Sequence, residues 1–149
     1  MSGIASRRAA LEVLEQVRGG RPFGAALDQA VKGLGEADRR LAHELAAGVL
    51  RSQSALDAQL APLVPGGWAS VAPQLKEVLR LGAFQLSGLD RVPPHAAVDT
   101  SVTLAREAAG AKAGGFVNAV LRRVGPAAPP DATDARAPAE RLAQEFSST

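Results

Sequence analysis

Residues 36–60 read EADRRLAHELAAGVLRSQSALDAQL. Leu41, Leu45, Val49, Leu56 and Leu60 recur at steps of four, four, seven and four. That spacing lines one face of an α-helix, so the stretch predicts a single helix over 36–60 with the stripe turned to a core. Pro62 and Pro65-Gly66-Gly67 then force a loop.

The same period extends in both directions. Residues 4–18 place Leu11, Leu14 and Val17 on one side and stop at Gly19-Gly20. A short helix is expected over 23–32, ended by Gly33. Downstream, Pro73 suits the first turn of a helix running to residue 89 through Leu75, Val78, Leu79, Gly82 and Leu86. Leu81 and Phe84 project from its other side, which marks a central, buried helix. Pro93-Pro94 opens a fifth helix through Ala97, Val98, Ser101, Leu104 and Ala105, punctuated by Gly110. A sixth, over 113–124, uses Phe116, Val117, Val120, Leu121 and Val124. No strand alternation of useful length appears, so the fold class is all-α.

Composition agrees. The chain has 149 residues, enough for one domain that buries roughly 70% of its unfolded surface. It holds 31 Ala, 18 Leu and 13 Val against one Ile, one Trp, four Phe and no Tyr, a helix-forming mixture. The absence of Cys excludes disulfides, thiolate metal sites and a cysteine nucleophile within this chain. Two His, His43 and His95, are too few for a typical His-based metal site without help from carboxylates. Glu12 and Glu15 interrupt any signal-peptide core, and the longest uncharged run, 58–75, is broken by prolines and glycines. A cytoplasmic protein with no membrane partner is expected.

After residue 125 the composition shifts. Pro126, Pro129, Pro130 and Pro138 mark a linker, and 139–146 forms a short amphipathic segment. The expected organisation is a helical domain over 1–125, then a linker and short helix over 126–149 leading toward a missing downstream domain. Charge divides the same way. Residues 1–125 carry 15 basic and 11 acidic groups, and 126–149 carry two and four. Fourteen of the 17 basic residues are Arg, suited to bidentate phosphate contacts, although a GC-rich genome gives the same bias.

No active site is legible. Gly33-Leu34-Gly35 lacks the third glycine of a dinucleotide loop and follows a helix, so it reads as a helix end. His43-Glu44 lacks the second histidine of a zinc-protease motif. No cofactor is expected. The basic residues are more informative. Arg40 and Arg51 fall within about 20° of each other on a helical wheel, opposite the leucine stripe. Lys76 and Arg80 form an i, i+4 pair turned from Leu75 and Val78. Asn118 and Arg122 share a face with Arg123 on its flank. Each stripe alone also reads as a solvated helix face. Arg7 falls on the edge of its own helix's apolar face, which predicts a half-buried side chain against a carboxylate such as Glu44 or a helix end. With five aromatics, two of them (Phe84 and Phe116) assigned to the core, any RNA binding works through Arg–phosphate contacts and shape.

Three segments then carry a resemblance. Residues 38–51, DRRLAHELAAGVLR, resemble the "DRrLAxELxxGVLR" helix of NusB-like domains. Residues 78–86, VLRLGAFQL, resemble its "vLRLGaYQL" helix. VPPHAAVD at 92–99 with GFVNAVLRR at 115–123 resembles "vPxHAAVdeaV…gFVNAVLRr". In order and spacing they cover 1–125 almost entirely. The His95-Ala96-Ala97-Val98 run and Asp38-Arg39-Arg40-Leu41 favour the N-terminal domain of RsmB/Sun/Fmu-type ribosomal RNA cytosine-C5 methyltransferases over the free-standing antitermination factor. The resemblance implies two three-helix subdomains and a domain that binds RNA or a partner. In the full enzymes an S-adenosylmethionine-binding domain follows and supplies two cysteines; this chain has neither. The expected partners are ribosomal RNA and either a methyltransferase domain or a ribosomal protein. The expected RNA-facing residues are Arg40, Arg51, Lys76, Arg80, Asn118, Arg122 and Arg123. Asn118 has two readings: an amide offered to a phosphate or base edge, or a structural role as a cap on a neighbouring helix or a donor to a backbone carbonyl. A helical interaction domain that never touches RNA is the remaining alternative.

Overall fold

The computed structural model describes residues 3–89 and 91–124. The expected linker and the segment 139–146 lie outside the described residues. Among those described there are seven α-helices and no strand. They are α1 (Ile4–Arg18), α2 (Phe23–Ala30), α3 (Glu36–Arg51), α4 (Gln53–Leu60), α5 (Pro73–Gly88), α6 (Pro94–Ala109) and α7 (Ala111–Val124). Two 3-10 turns, Ala61–Leu63 and Trp68–Ser70, bridge α4 to α5.

Helices α1 to α3 pack as one group and α5 to α7 as another, with α4 laid against α5. Helix α5 joins the groups, touching α1, α3, α4, α6 and α7. Every residue from Glu77 to Gln85 is buried, so the apolar wrap legible in its sequence is the mark of a central helix. Prolines set where the helices begin. Pro73 and Pro94 stand in first turns, each preceded by an extended residue, Ala72 (φ −60, ψ 143) and Pro93 (φ −61, ψ 139). A following proline disfavours helical geometry in the residue before it, and the missing N–H costs nothing at that position.

Two glycines set how close the helices come. A Cβ on Gly48 of α3 would stand 2.1 Å from Phe84 Cζ of α5. One on Gly82 of α5 would stand 2.5 Å from Leu121 Cδ1 of α7 and 2.8 Å from Ser101 Oγ of α6. Both separations are far inside contact distance, so a methyl group at either position must displace its neighbour.

The sequence pattern fails at two places here. The helix expected over 36–60 is two helices, broken at Ser52 (φ −109, ψ 13). Its N–H is shared between the carbonyls of Gly48 and Val49, while its own carbonyl opens α4 by accepting from Leu56 N at 2.9 Å. The leucine stripe runs through the break because Leu56 and Leu60, like Leu45 and Val49, are buried; Leu41 is half-buried. Arg7 meets one part of its expectation, a helix end at Gly3, and not the other, a carboxylate. It is 7% exposed, and its Nε donates to Gln85 Oε1 at 2.9 Å, while Nη1 reaches Gly3 O at 3.3 Å. Glu44 is held elsewhere, by Arg91. Burial pulls the Arg7 pKa down, and the charge of Asp38 works against that pull.

Candidate nucleic-acid interface

The last turns of α7 hold the most coherent of the expected groups. Val117, Val120 and Leu121 are buried, which leaves Asn118 half-buried and Arg122 and Arg123 exposed. Two cations in a helix's last turn sit favourably at its negative end. Arg122 Nε donates to Asn118 Oδ1 at 3.1 Å, the contact their i, i+4 spacing allows. The amide oxygen is thereby assigned to Arg122, and the amide nitrogen is left to donate outward. Arg123 Nη1 donates to Leu63 O at 2.8 Å and ties α7 to the 3-10 turn that follows α4. Asn118 thus caps no neighbouring helix among the described residues.

On α3, Arg40 is paired with Glu36 at 3.0 Å. Both side chains are largely in water (72% and 84% exposed), so the pair holds Arg40 only weakly. Arg40 also borders an open hollow with His43, Glu44 and Arg91. Arg51, in the last turn, is exposed.

Arg80 belongs to the interior. Its Nε and Nη2 grip the two carboxylate oxygens of Asp57 at 2.6 and 2.9 Å, and Nη1 reaches Glu77 Oε1 at 3.3 Å. Arg18 Nη1 holds the other Glu77 oxygen at 3.1 Å. Burial alone would lower the Arg80 pKa, but the hydrogen bonds and charge of Asp57, with those of Glu77, outweigh it and the pKa is raised. This corrects the reading of Arg80 as a surface cation. A wheel drawn on residue 76 assumes α5 has an outward face at 80, and it has none between 77 and 85. Lys76 is half-buried, its Nζ 5.4 Å from the centre of the Trp68 ring, a cation–π contact; Arg80 Cζ lies 5.7 Å from the same ring.

The structure therefore brings Asn118 and Arg122 together, and sets Lys76 and Arg80 against one indole. Among the described residues no hydrogen bond or ion pair joins these groups to each other, or to Arg40 and Arg51. A further cation, Arg106 at the end of α6, is absent from the sequence-derived set. It lines a polar groove of about 370 Å³ between α6 and α7 with Asp99, Thr103, Gly114, Gly115 and Asn118. Its signal in the sequence is indirect: two successive glycines inside a helix.

The NusB family model matches residues 4–126. A "Probable ribosomal RNA small subunit methyltransferase B" of Synechocystis is 34% identical over 123 residues, which is 80% of this chain and 28% of that protein. A "Transcription antitermination protein NusB" of Hahella chejuensis is 35% identical over 128 residues, 82% of this chain and 84% of that protein. The chain thus spans little more than a quarter of its methyltransferase relative. Among solved structures, the antitermination factors NusB and NusE in complex with double-stranded RNA include a chain with a TM-score of 0.74 at 23% identity, covering 81% of this chain and 93% of that one. At that identity the likeness speaks for the fold, and the fold agrees with the family model and the relatives: the chain belongs to the NusB family.

Proposed function

We propose that this chain is a cytoplasmic RNA-binding accessory domain that positions ribosomal RNA for an S-adenosylmethionine-dependent cytosine-C5 methyltransferase. The catalytic domain lies outside this sequence. The binding unit is residues 1–125, and 126–149 forms the link toward that domain. The observation that carries the reading is the imbalance of surface charge. Among the described residues, 12 exposed basic side chains face five exposed acidic ones, Glu12, Asp28, Glu36, Asp99 and Glu107. Glu77 is spent inside on Arg80 and Arg18, so it does not offset the surface. Such a surface attracts a polyanion independently of sequence. The Synechocystis relative supports ribosomal RNA as the target, and the RNA complex of a NusB protein supports RNA as the ligand.

Cytosine C5 methylation needs a thiolate to add to C6 of the base, and this chain contains no Cys. Its own residues therefore bind and orient. A free-standing antitermination factor, working with a ribosomal protein, is the second reading; it is supported by 35% identity over 84% of the Hahella relative. Filter binding to ribosomal RNA fragments across a salt series tests the proposal. Neutralising about three to five phosphates gives a log–log slope of roughly −2 to −4. Arg122→Ala with Arg123→Ala should flatten it. An absence of RNA binding at low salt would leave a protein-interaction domain. Calorimetry with S-adenosylmethionine should show no saturable binding.

A further inference from the structure

We infer that the groove between α6 and α7 is a seat for one phosphodiester of a bound RNA, and that Arg106, held in place by the bare backbone of Gly114, is the residue that grips it. The inference rests on the RNA-binding reading above and adds to it a residue and a positioning device.

The geometry begins with Gly114. A Cβ there would stand 2.7 Å from Arg106 Cγ, 3.0 Å from Nε and 3.4 Å from Cδ. The stem of Arg106 therefore lies flat across α7 in the space a methyl group would fill, and Gly114 is buried beneath it. Glycine is among the weakest helix formers, so its presence inside α7 needs a local reason. At position 114 that reason is the arginine lying across it. Next to it, Gly115 has no neighbouring atom within 4 Å of its Cβ position, so the groove floor is open helix backbone.

The chemistry of the groove is that of an anion seat with a defined edge. Arg106 is exposed, and its guanidinium meets no carboxylate among the described residues. Asn118 lines the same groove, and with its oxygen engaged by Arg122 its amide nitrogen remains a donor with no partner among the described residues. Thr103 Oγ1 donates to the Asp99 carbonyl at 3.1 Å, leaving its oxygen as an acceptor only. The Asp99 carboxylate lines the groove as well and repels a phosphate. The favourable end is therefore the one bounded by Arg106 and Gly114–Gly115. A guanidinium there can bond two phosphate oxygens in its fork geometry, and bare backbone lets the sugar–phosphate chain approach closely.

The test uses the full chain, a ribosomal RNA fragment and an unrelated RNA of equal length. Arg106→Ala should weaken binding to both by about tenfold or more, the loss of a forked contact to a charged group, and flatten the salt slope by about one unit. Gly114→Ala should lower the melting temperature by a few degrees at most, because the helix propensity gained offsets part of the cost of moving an exposed side chain, yet weaken RNA binding like Arg106→Ala by displacing that side chain. The double variant should bind no more weakly than Arg106→Ala alone. Wild-type-like RNA binding by both single variants would overturn the inference and leave the RNA-binding reading standing. An effect of Gly114→Ala that persists in the Arg106→Ala background would overturn the positioning role. A wild-type chain that binds neither RNA would remove both readings together.

Discussion

Arg80 places a guanidinium between Asp57 and Glu77 with 9% of its side chain exposed, and Glu77 is more enclosed still at 5%. Removing Arg80 leaves the Asp57 carboxylate without its partner and the enclosed Glu77 with Arg18 alone. Arg80→Ala should therefore lower stability by about 3–5 kcal/mol in chemical denaturation, and a loss below about 1 kcal/mol would contradict the network. Leu45 is fully buried, and Leu45→Ala should cost about 2–5 kcal/mol through lost contacts and a cavity. The Arg8–Glu107 pair behaves differently, because its side chains are 50% and 45% exposed. Hydrogen bonds from Arg8 hold the Glu107 carboxyl below the usual carboxylate range. Its contribution is present above the unfolded-state pKa and is lost as pH falls through the folded one; at this exposure it is small. At this scale the sequence was readable where spacing alone decides the contact, as for Asn118 and Arg122. It was unreadable where the partner sits on another element: Gln85 for Arg7, Asp57 for Arg80, Trp68 for Lys76.

The helices themselves were mostly legible, because amphipathic spacing and proline or glycine boundaries are local signals. Helix α1 begins and ends where its pattern does, and α5 and α6 start at their prolines. The break at Ser52 was hidden because the apolar period runs across it: Leu56 follows Val49 by two helical turns whether or not the axis bends. Glycines inside helices were the other opaque signal, since sequence gives no distance to a neighbour. Gly48→Ala should destabilise by about 1–3 kcal/mol through displacement of the Phe84 ring, a cost that exceeds the helix propensity gained. Gly114→Ala meets only an arginine stem, so a comparable loss of stability there would refute the distinction between the two sites.

Across the whole molecule, the sequence conveyed the sign of the charge but not its arrangement. Fifteen basic residues were countable in 1–125; that Arg7 and Arg80 are interior while Arg106, Arg122 and Arg123 face outward depends on how α5, α6 and α7 pack. Raising salt should therefore weaken RNA binding while leaving the Arg80 network intact, because enclosed pairs are screened far less than exposed ones. Unchanged affinity across the salt series would be inconsistent with a surface that works through phosphates. The enclosure of α5 by five other helices also has a kinetic consequence. Its central amides, from Val78 to Phe84, can meet deuterated water only when the bundle opens as a unit, whereas α2 buries Ala26 alone and can fray by itself. Native-state hydrogen exchange should place α5 in the slowest class, with an opening free energy equal to that of global unfolding, and α2 among the fastest.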